Sequence, residues 1–224
     1  MGIVIALSVI VLWASHLYYL LFIYVVNYSS PLTYLHILFQ GYLYTGLFIT
    51  AHDSMHSAVS SSRKVNNTIG QLALWLFAAF SFKKMFTNHM KHHNNVATSK
   101  DPDYCSTSQH VFTWFFSFFF SYITMRQIVT MALLFNVILY LFKAPLPNIM
   151  LFWIIPPFLG TFQLFYFGTY WPHKQPHTPE MEPHRSRTMK KNHFLAMLSC
   201  WFFSYHWEHH QYPRTPWWQL YKRK

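Results

Sequence analysis

The sequence predicts an all-α integral membrane protein with about four transmembrane helices, several interfacial helices and a histidine-rich cap on the cytoplasmic face. Three observations carry this prediction. The chain is 53% hydrophobic and only 10% charged, whereas soluble domains carry about 25% charged residues. Apolar runs approaching the roughly 20 residues that a helix needs to cross a bilayer recur along it. Its 15 histidines gather into boxes that fall where those runs end. A length of 224 residues fits one domain, 1–224.

The elements follow in order. Residues 2–26 (GIVIALSVIVLWASHLYYLLFIYVV) form the first span. No basic segment precedes this run and it is long enough to cross, so it reads as a retained helix rather than a cleaved signal. Asn27–Pro31 is a turn, and 32–51 is a second span ending directly at His52. Residues 65–82 are apolar but shorter, bounded by Arg63, Lys64, Lys83 and Lys84, and read as a re-entrant or interfacial helix. Residues 111–125 are rich in Phe and Trp, which favour the interface. Arg126 precedes a third span, 127–142. Lys143-Ala-Pro-Leu-Pro is a turn punctuated by two prolines, and 149–171 is the fourth span. The basic remainder, 172–224, holds one apolar stretch, 194–205, expected as a membrane-surface helix.

Charge orients this topology. Lys and Arg number 17 against 6 Asp and Glu, for a net charge of +11. Only Lys143 lies in the two short outer loops, 27–31 and 143–148. By the positive-inside rule the other side is cytoplasmic, and it carries all the acidic residues, the histidine boxes and the C-terminus. The charge is interleaved with membrane segments. It therefore suits loops and anionic lipid rather than nucleic acid. Cys105 and Cys200 form no C-x-x-C pair, so neither a disulfide framework nor a thiolate zinc site is indicated.

Three boxes stand out: HDSMH (His52, His56), HMKHH (His89, His92, His93) and HWEHH (His206, His209, His210). Spacings of three and four place each set on one helix face, so its imidazoles can aim at one point. Eight histidines exceed the four ligands of a structural zinc and suit two metal ions. Imidazole serves Fe, Zn, Cu or Ni. HWEHH is not the H-E-x-x-H of zinc proteases, and Glu208 sits at the wrong spacing.

Other polar residues join as candidates. His173, in GTYWPHK, follows the fourth span on the same face, and His184, in EPHRSR, is a further candidate. Asp53 lies inside the first box, and Asp101 and Asp103 form DPD just past the second. Metal-bound imidazoles commonly donate their free N–H to a carboxylate. Alternatively, Asp101-Pro-Asp103 caps a helix or forms a turn, and Glu208 faces the same alternatives. His16 and His36, lone histidines within spans, read as packed or hydrogen-bonded. His110, His177 and His193 read as surface residues.

The boxes resemble those of the membrane fatty-acid desaturase and hydroxylase superfamily. HDSMH, DPDY, LFYFGTYWPH, EPHRSRT and YHWEHHQYPRTPWWQL are similar, more specifically, to the bacterial and cyanobacterial β-carotene ketolases, over about residues 32–221. Ser54 and Ser57 depart from that pattern, standing where Ala and Gly are expected. The resemblance implies a di-iron cap. Two non-haem irons would be held by His52, His56, His89, His92, His93, His206, His209 and His210, with His173 completing the set. Asp53, Asp101 and Asp103 would support the ligands, and His184 would support or replace one.

It also implies the reaction: oxygenation at C4 and C4′ of the β-ionone rings of β-carotene, with O2 as co-substrate. No G-x-G-x-x-G, flavin or Fe–S motif is present, so electrons would come from an external donor such as a ferredoxin. The membrane would be the bacterial inner membrane or the thylakoid. Rival readings are a carotenoid ring hydroxylase, a fatty-acid desaturase or hydroxylase, and a metal-binding or metal-transporting membrane protein. Transport is disfavoured because transporter ligands belong near the bilayer midplane, whereas these boxes fall at helix ends. The aromatic runs Trp114–Phe120 and Phe162–Tyr170 would line a substrate tunnel or face lipid, and Trp217 and Trp218 would anchor the C-terminal segment at the interface.

Overall fold

The structure, a computed structural model, describes Met1–Lys224 and contains helices and no strand. Helix α1, Gly2–Phe22, is apolar all round. Its inner face (Trp13, Leu17, Leu20, Leu21) packs into the core, while Val4 and Val11 stay exposed. Helix α2, Pro31–Met55, begins where Ser30 accepts from the Leu32 N–H and Pro31 fills the first turn, a position where proline loses no hydrogen bond.

Helix α2 is the central post, buried along most of its length from Gln40 onward. Its polar residues therefore need internal partners. Gln40 meets His16, whose other ring nitrogen meets His36. Thr45 donates to Gln163, and Thr50 donates back to the Gly46 carbonyl. Close approach to α7 (Leu146–His173) depends on glycine, since a Cβ added at Gly160 would lie 3.0 Å from the Gly41 carbonyl oxygen.

Helix α3, Arg63–Ala78, stops short of the expected 65–82. Ala79 turns left-handed (φ 56°), and the Ala79 and Phe80 amides close the helix on Trp75 and Leu74. The Gln71 side chain brackets this turn, donating to Phe80 O and accepting from Phe82 N–H. Ser81 then accepts from Lys84 N–H and starts α4, Phe82–Asn94. The expected helix thus ends early, and a separate helix, α4, carries the HMKHH box.

Helix α5 is Val111–Tyr122 and α6 is Met125–Asn136, continued by a π-turn over Val137–Leu141. The pair is bent by 84° at Ile123–Thr124. Gln127 donates to Ala78 O and ties α6 to the end of α3. Helix α7 runs 28 residues with two π-turns, Met150–Ile154 and Tyr166–Tyr170. The stretch expected as one surface helix over 194–205 is α8, His193–Cys200, stopped by Trp201 and Phe202 at positive φ. Short helices α9, His206–Gln211, and α10, Trp217–Leu220, complete the chain.

Two helices, α1 and α7, are long and apolar enough to cross a membrane, or three spans if the bent α5–α6 pair is one. Of the four expected spans, α2 is the one that length and composition do not single out. Its polar load lowers its hydropathy, and its neighbours α1, α3 and α7, rather than lipid, cover that load.

Candidate metal centre

Four separate parts of the chain meet at one end of the bundle. Helix α2 delivers His52 in its last turn and His56 as its C-cap. One face of α4 presents His89, His92 and His93. The last residue of α7 is His173, and α9 supplies His206, His209 and His210.

The nine rings sort into two groups. One nitrogen from each of His52, His56, His89, His93 and His209 lies within 4.8 Å of the others, as does one from each of His92, His173, His206 and His210. Facing Nε2 atoms approach to 3.2 Å for His52–His209, 2.7 Å for His56–His89, and 3.1 Å for His93 with both His89 and His209. In the second group His210 Nε2 lies 3.1 Å from His206 Nε2 and 3.3 Å from His92 Nε2.

This spacing fits a metal. Metal–imidazole bonds of about 2.0–2.1 Å put neighbouring ligand atoms about 3 Å apart. His173 adds a second sign. Its Nδ1–H donates to Arg185 O at 2.9 Å, leaving the buried Nε2 with a lone pair and no partner in the chain. A buried acceptor of that kind is costly unless something binds it. Burial, then the neighbouring rings, hold His89, His206, His209 and His210 well below the ordinary imidazole range, and His56 down to about 4. Neutral imidazole is the form that ligates.

The carboxylates divide by task. Asp101 accepts from His92 Nδ1–H at 2.9 Å, from Ala97 N–H and from Asp103 N–H. Burial pushes its carboxyl up, but His92 and those amides more than reverse this and hold it below its ordinary value. Burial likewise disfavours charge on His92, and Asp101 outweighs it, raising the ring. Asp103, pushed up to about 6 by burial, accepts from Tyr122 OH. Asp53 instead accepts from Trp217 N–H at 3.0 Å and so pins α10 to α2; at 3.6 Å from His52 Nδ1 it is beyond hydrogen-bond range. His184 lies outside both groups, stacked on His210 with its Nε2 on Gln211 Oε1 at 2.8 Å.

Sequence reasoning missed several contributors. Tyr122, the last residue of α5, joins the site through its hydroxyl, which donates to Asp103. Thr188 and Lys224 both donate to Glu208, at 2.6 and 3.0 Å, and so anchor α9 from outside. The Ser-Phe-Lys-Lys start of α4 is an N-cap signal that would have ended the 65–82 segment before Ser81.

A largely apolar cavity reaches His52, His89, His92 and His206, with Phe80, Phe118 and Phe119 on its walls. A second cavity shares Phe77, Phe80, Phe119, Ile123 and Thr161 with it and extends along α6 and α7. Of the aromatic runs, Phe118, Phe119, Leu164, Gly168 and Thr169 contribute to the lining, whereas Trp114 is fully buried and Phe116 and Phe120 are exposed. Trp217 packs edge-on against Trp201.

A helical membrane scaffold converging three histidine boxes on a metal centre defines a class, and the chain belongs to the Fatty acid desaturase family, whose model matches residues 29–127 and 109–223. Within it, the chain is 38% identical over 232 residues to a Zeaxanthin 4-ketolase of Chlamydomonas reinhardtii, covering 98% of this chain and 52% of that protein. It is 38% identical over 186 residues to Beta-carotene 4-ketolase 3 of Haematococcus lacustris, covering 80% and 58%. A Beta-carotene ketolase of Paracoccus sp. (strain PC1) is 39% identical over 184 residues, covering 80% and 74%. The chain thus spans between half and three-fifths of the length of these two algal relatives. No solved structure matches it.

Proposed function

We propose that the chain is a β-carotene 4-ketolase. It would oxygenate C4 and C4′ of the β-ionone rings to give echinenone and then canthaxanthin, using O2 and electrons from an external donor. The observation that carries this reading is the pair of histidine groups at the end of an apolar cavity, in a chain whose relatives bear ketolase names. Two hydroxylations at one carbon, each consuming one O2, two electrons and two protons and releasing one water, give a geminal diol. Loss of water from the diol leaves the ketone.

Two bound irons would supply the O2 activation and hydrogen abstraction that no side chain can perform. His52, His56, His89, His93 and His209 would hold one, and His92, His173, His206 and His210 the other. Asp101 orients His92, the Arg185 carbonyl orients His173, and His184 supports His210 by stacking. Asp53 holds the C-terminal helix against α2. The two linked cavities would admit one rigid end of a polyene from lipid and exclude water around the reacting carbon.

The one-domain, four-span topology, with boxes and C-terminus in the cytoplasm, belongs to the same reading. So does the bacterial inner or thylakoid membrane, whose lipid would surround the helices. The basic face would then meet an acidic donor such as a ferredoxin, since complementary charge speeds encounter.

The test is a carotenoid profile by liquid chromatography and mass spectrometry, in a β-carotene-producing host expressing either the chain or His209→Ala. Echinenone and canthaxanthin from the parent, absent from the variant, are expected. Alcohols alone would make it a ring hydroxylase. An unchanged pigment profile, with the chain intact, iron-loaded and supplied with electrons, would refute the carotenoid reading and point to acyl lipids or metal storage.

A further inference from the structure

A groove of about 340 Å³ opens among the end of α3, the start of α4 and the start of α6, a size within the range of small-ligand pockets. Lys84 of α4 and Arg126 of α6 both line it, together with Gln71, Trp75, Thr124 and Thr130. The two cations are exposed and neither meets a carboxylate. The chain's ion pairs are His52–Asp53, His92–Asp101 and Lys224–Glu208, and none of its six acidic residues lines the groove. Lys84 Nζ–H donates to Ser121 O at the end of α5, a long contact of 3.4 Å. An ammonium has three donors and a guanidinium five, so most of this donor set is left for an anion.

The surface around the groove is apolar. Leu72 and Trp75 are exposed on α3, and exposed tryptophan favours the headgroup level of a bilayer. On α6, Arg126 is followed at spacings of three and four by Val129 and Leu133, both exposed, which puts one charge at the head of an apolar stripe on one helix face. The ligand that matches both halves is an anion attached to hydrocarbon chains.

We propose that this groove binds the phosphate of an anionic phospholipid, clamped by Lys84 and Arg126, with its acyl chains laid along Val129 and Leu133 of α6. Such a lipid requires a membrane around the helices but no particular reaction. The groove shares Phe80 and Gln127 with the cavity along α6 and α7, and Phe80, Met85 and Tyr122 with the cavity at the histidines. A lipid seated there borders both.

The test is native mass spectrometry of the detergent-purified full chain, titrated with an equimolar mixture of phosphatidylglycerol and phosphatidylcholine of matched acyl chains. The parent should retain one phosphatidylglycerol in preference. Lys84→Gln/Arg126→Gln should weaken that retention by about tenfold or more, and Arg126→Gln alone by about fivefold, from the contribution of each cation near an anionic headgroup. The single variant tests the site even if the double one does not fold. Lys84→Arg/Arg126→Lys should keep the preference. Lys190→Gln/Lys191→Gln removes the same charge from exposed positions outside the groove and should also keep it. Equal retention of the two lipids by the parent, or an equal loss in the Lys190 and Lys191 variant, would overturn the proposal by reducing the effect to general charge attraction. Inorganic phosphate raising the Tm as much as phosphatidylglycerol does would overturn it by making the groove a site for soluble anions. None of these readouts involves turnover, so either result leaves the ketolase reading where it stands.

Discussion

Asp101→Asn isolates the part of the centre that the chain builds without metal. Asp101 faces three donors: His92 Nδ1–H, which spans both oxygens at 2.9 and 3.1 Å, Ala97 N–H on Oδ2, and Asp103 N–H on Oδ1, each amide at 2.9 Å. An asparagine keeps the shape but brings an NH2 group. Whichever way it turns, that group meets a backbone N–H, Ala97 in one orientation and Asp103 in the other. One buried amide loses its acceptor, at a cost of about 1–3 kcal/mol. The charge that fixes His92 with its lone pair on Nε2 is lost as well. Supporting carboxylates of this kind are worth about 10–100-fold in metal affinity. The expected result is therefore a 10–100-fold weaker iron affinity in the detergent-purified protein, measured against a competing chelator, with a Tm lowered in both apo and holo forms. An unchanged affinity would refute the claim that Asp101 orients His92, and a Tm loss confined to the holo form would refute the orphaned-amide argument.

Further outcomes follow from the same geometry. Ser81→Ala removes the cap of the helix that carries His89, His92 and His93 and should cost about 1 kcal/mol, read by chemical denaturation in micelles. Gly46→Ala places a Cβ 2.6 Å from the Trp201 ring, and such overpacking costs about 1–3 kcal/mol; a Tm equal to the parent's would contradict the close contact of α2 with Trp201. Acid should release the metal. His89, His206, His209 and His210 titrate well below their ordinary value when folded, so below about pH 6.5 the unfolded chain binds more protons and stability falls with pH. His92, raised by Asp101 against burial, and Asp103, pushed up to about 6 by burial, run the other way, against these four and His56. Dialysis from pH 7.5 to 5.5 should lower both iron content and Tm, and returning to pH 7.5 with Fe(II) should restore both. Glu208→Gln should loosen α9 and lower the iron occupancy, and Lys224→Ala should do so less, because it leaves the 2.6 Å Thr188 contact intact.

The site was more legible in the sequence than the scaffold. Ligand spacing of three and four survives translation into structure because it depends only on helical pitch, and all nine expected histidines come together in two groups. The resemblance favours His173 over His184 as the ninth ligand, without a physical reason for the order. What separates them is the Arg185 carbonyl, which turns one ring inward, and Gln211, which holds the other outside. Tyr122 carried no signal, because its link to Asp103 spans nineteen residues and belongs to no local motif. Hydropathy is least telling at α2, whose polar residues are met by protein partners such as His16 and Gln163. The split at Ala79 has no Gly or Pro to announce it; the turn is stabilised by Gln71 reaching across nine and eleven residues.

The π-turn at Tyr166–Tyr170 immediately precedes the short helical turn Trp171–His173. Such a turn lodges one extra residue in an α-helix, and each residue of an α-helix advances the direction in which side chains point by about 100°. The turn thus acts as a phase shifter. Upstream, α7 keeps its register against α2 through the Gly41–Gly160 contact, and downstream it presents His173 to His92, His206 and His210. Evolution could adjust the ligand end and the packing end of this helix independently, because one inserted residue uncouples their phases, and deleting Gly168 would swing His173 by roughly 100° out of its group.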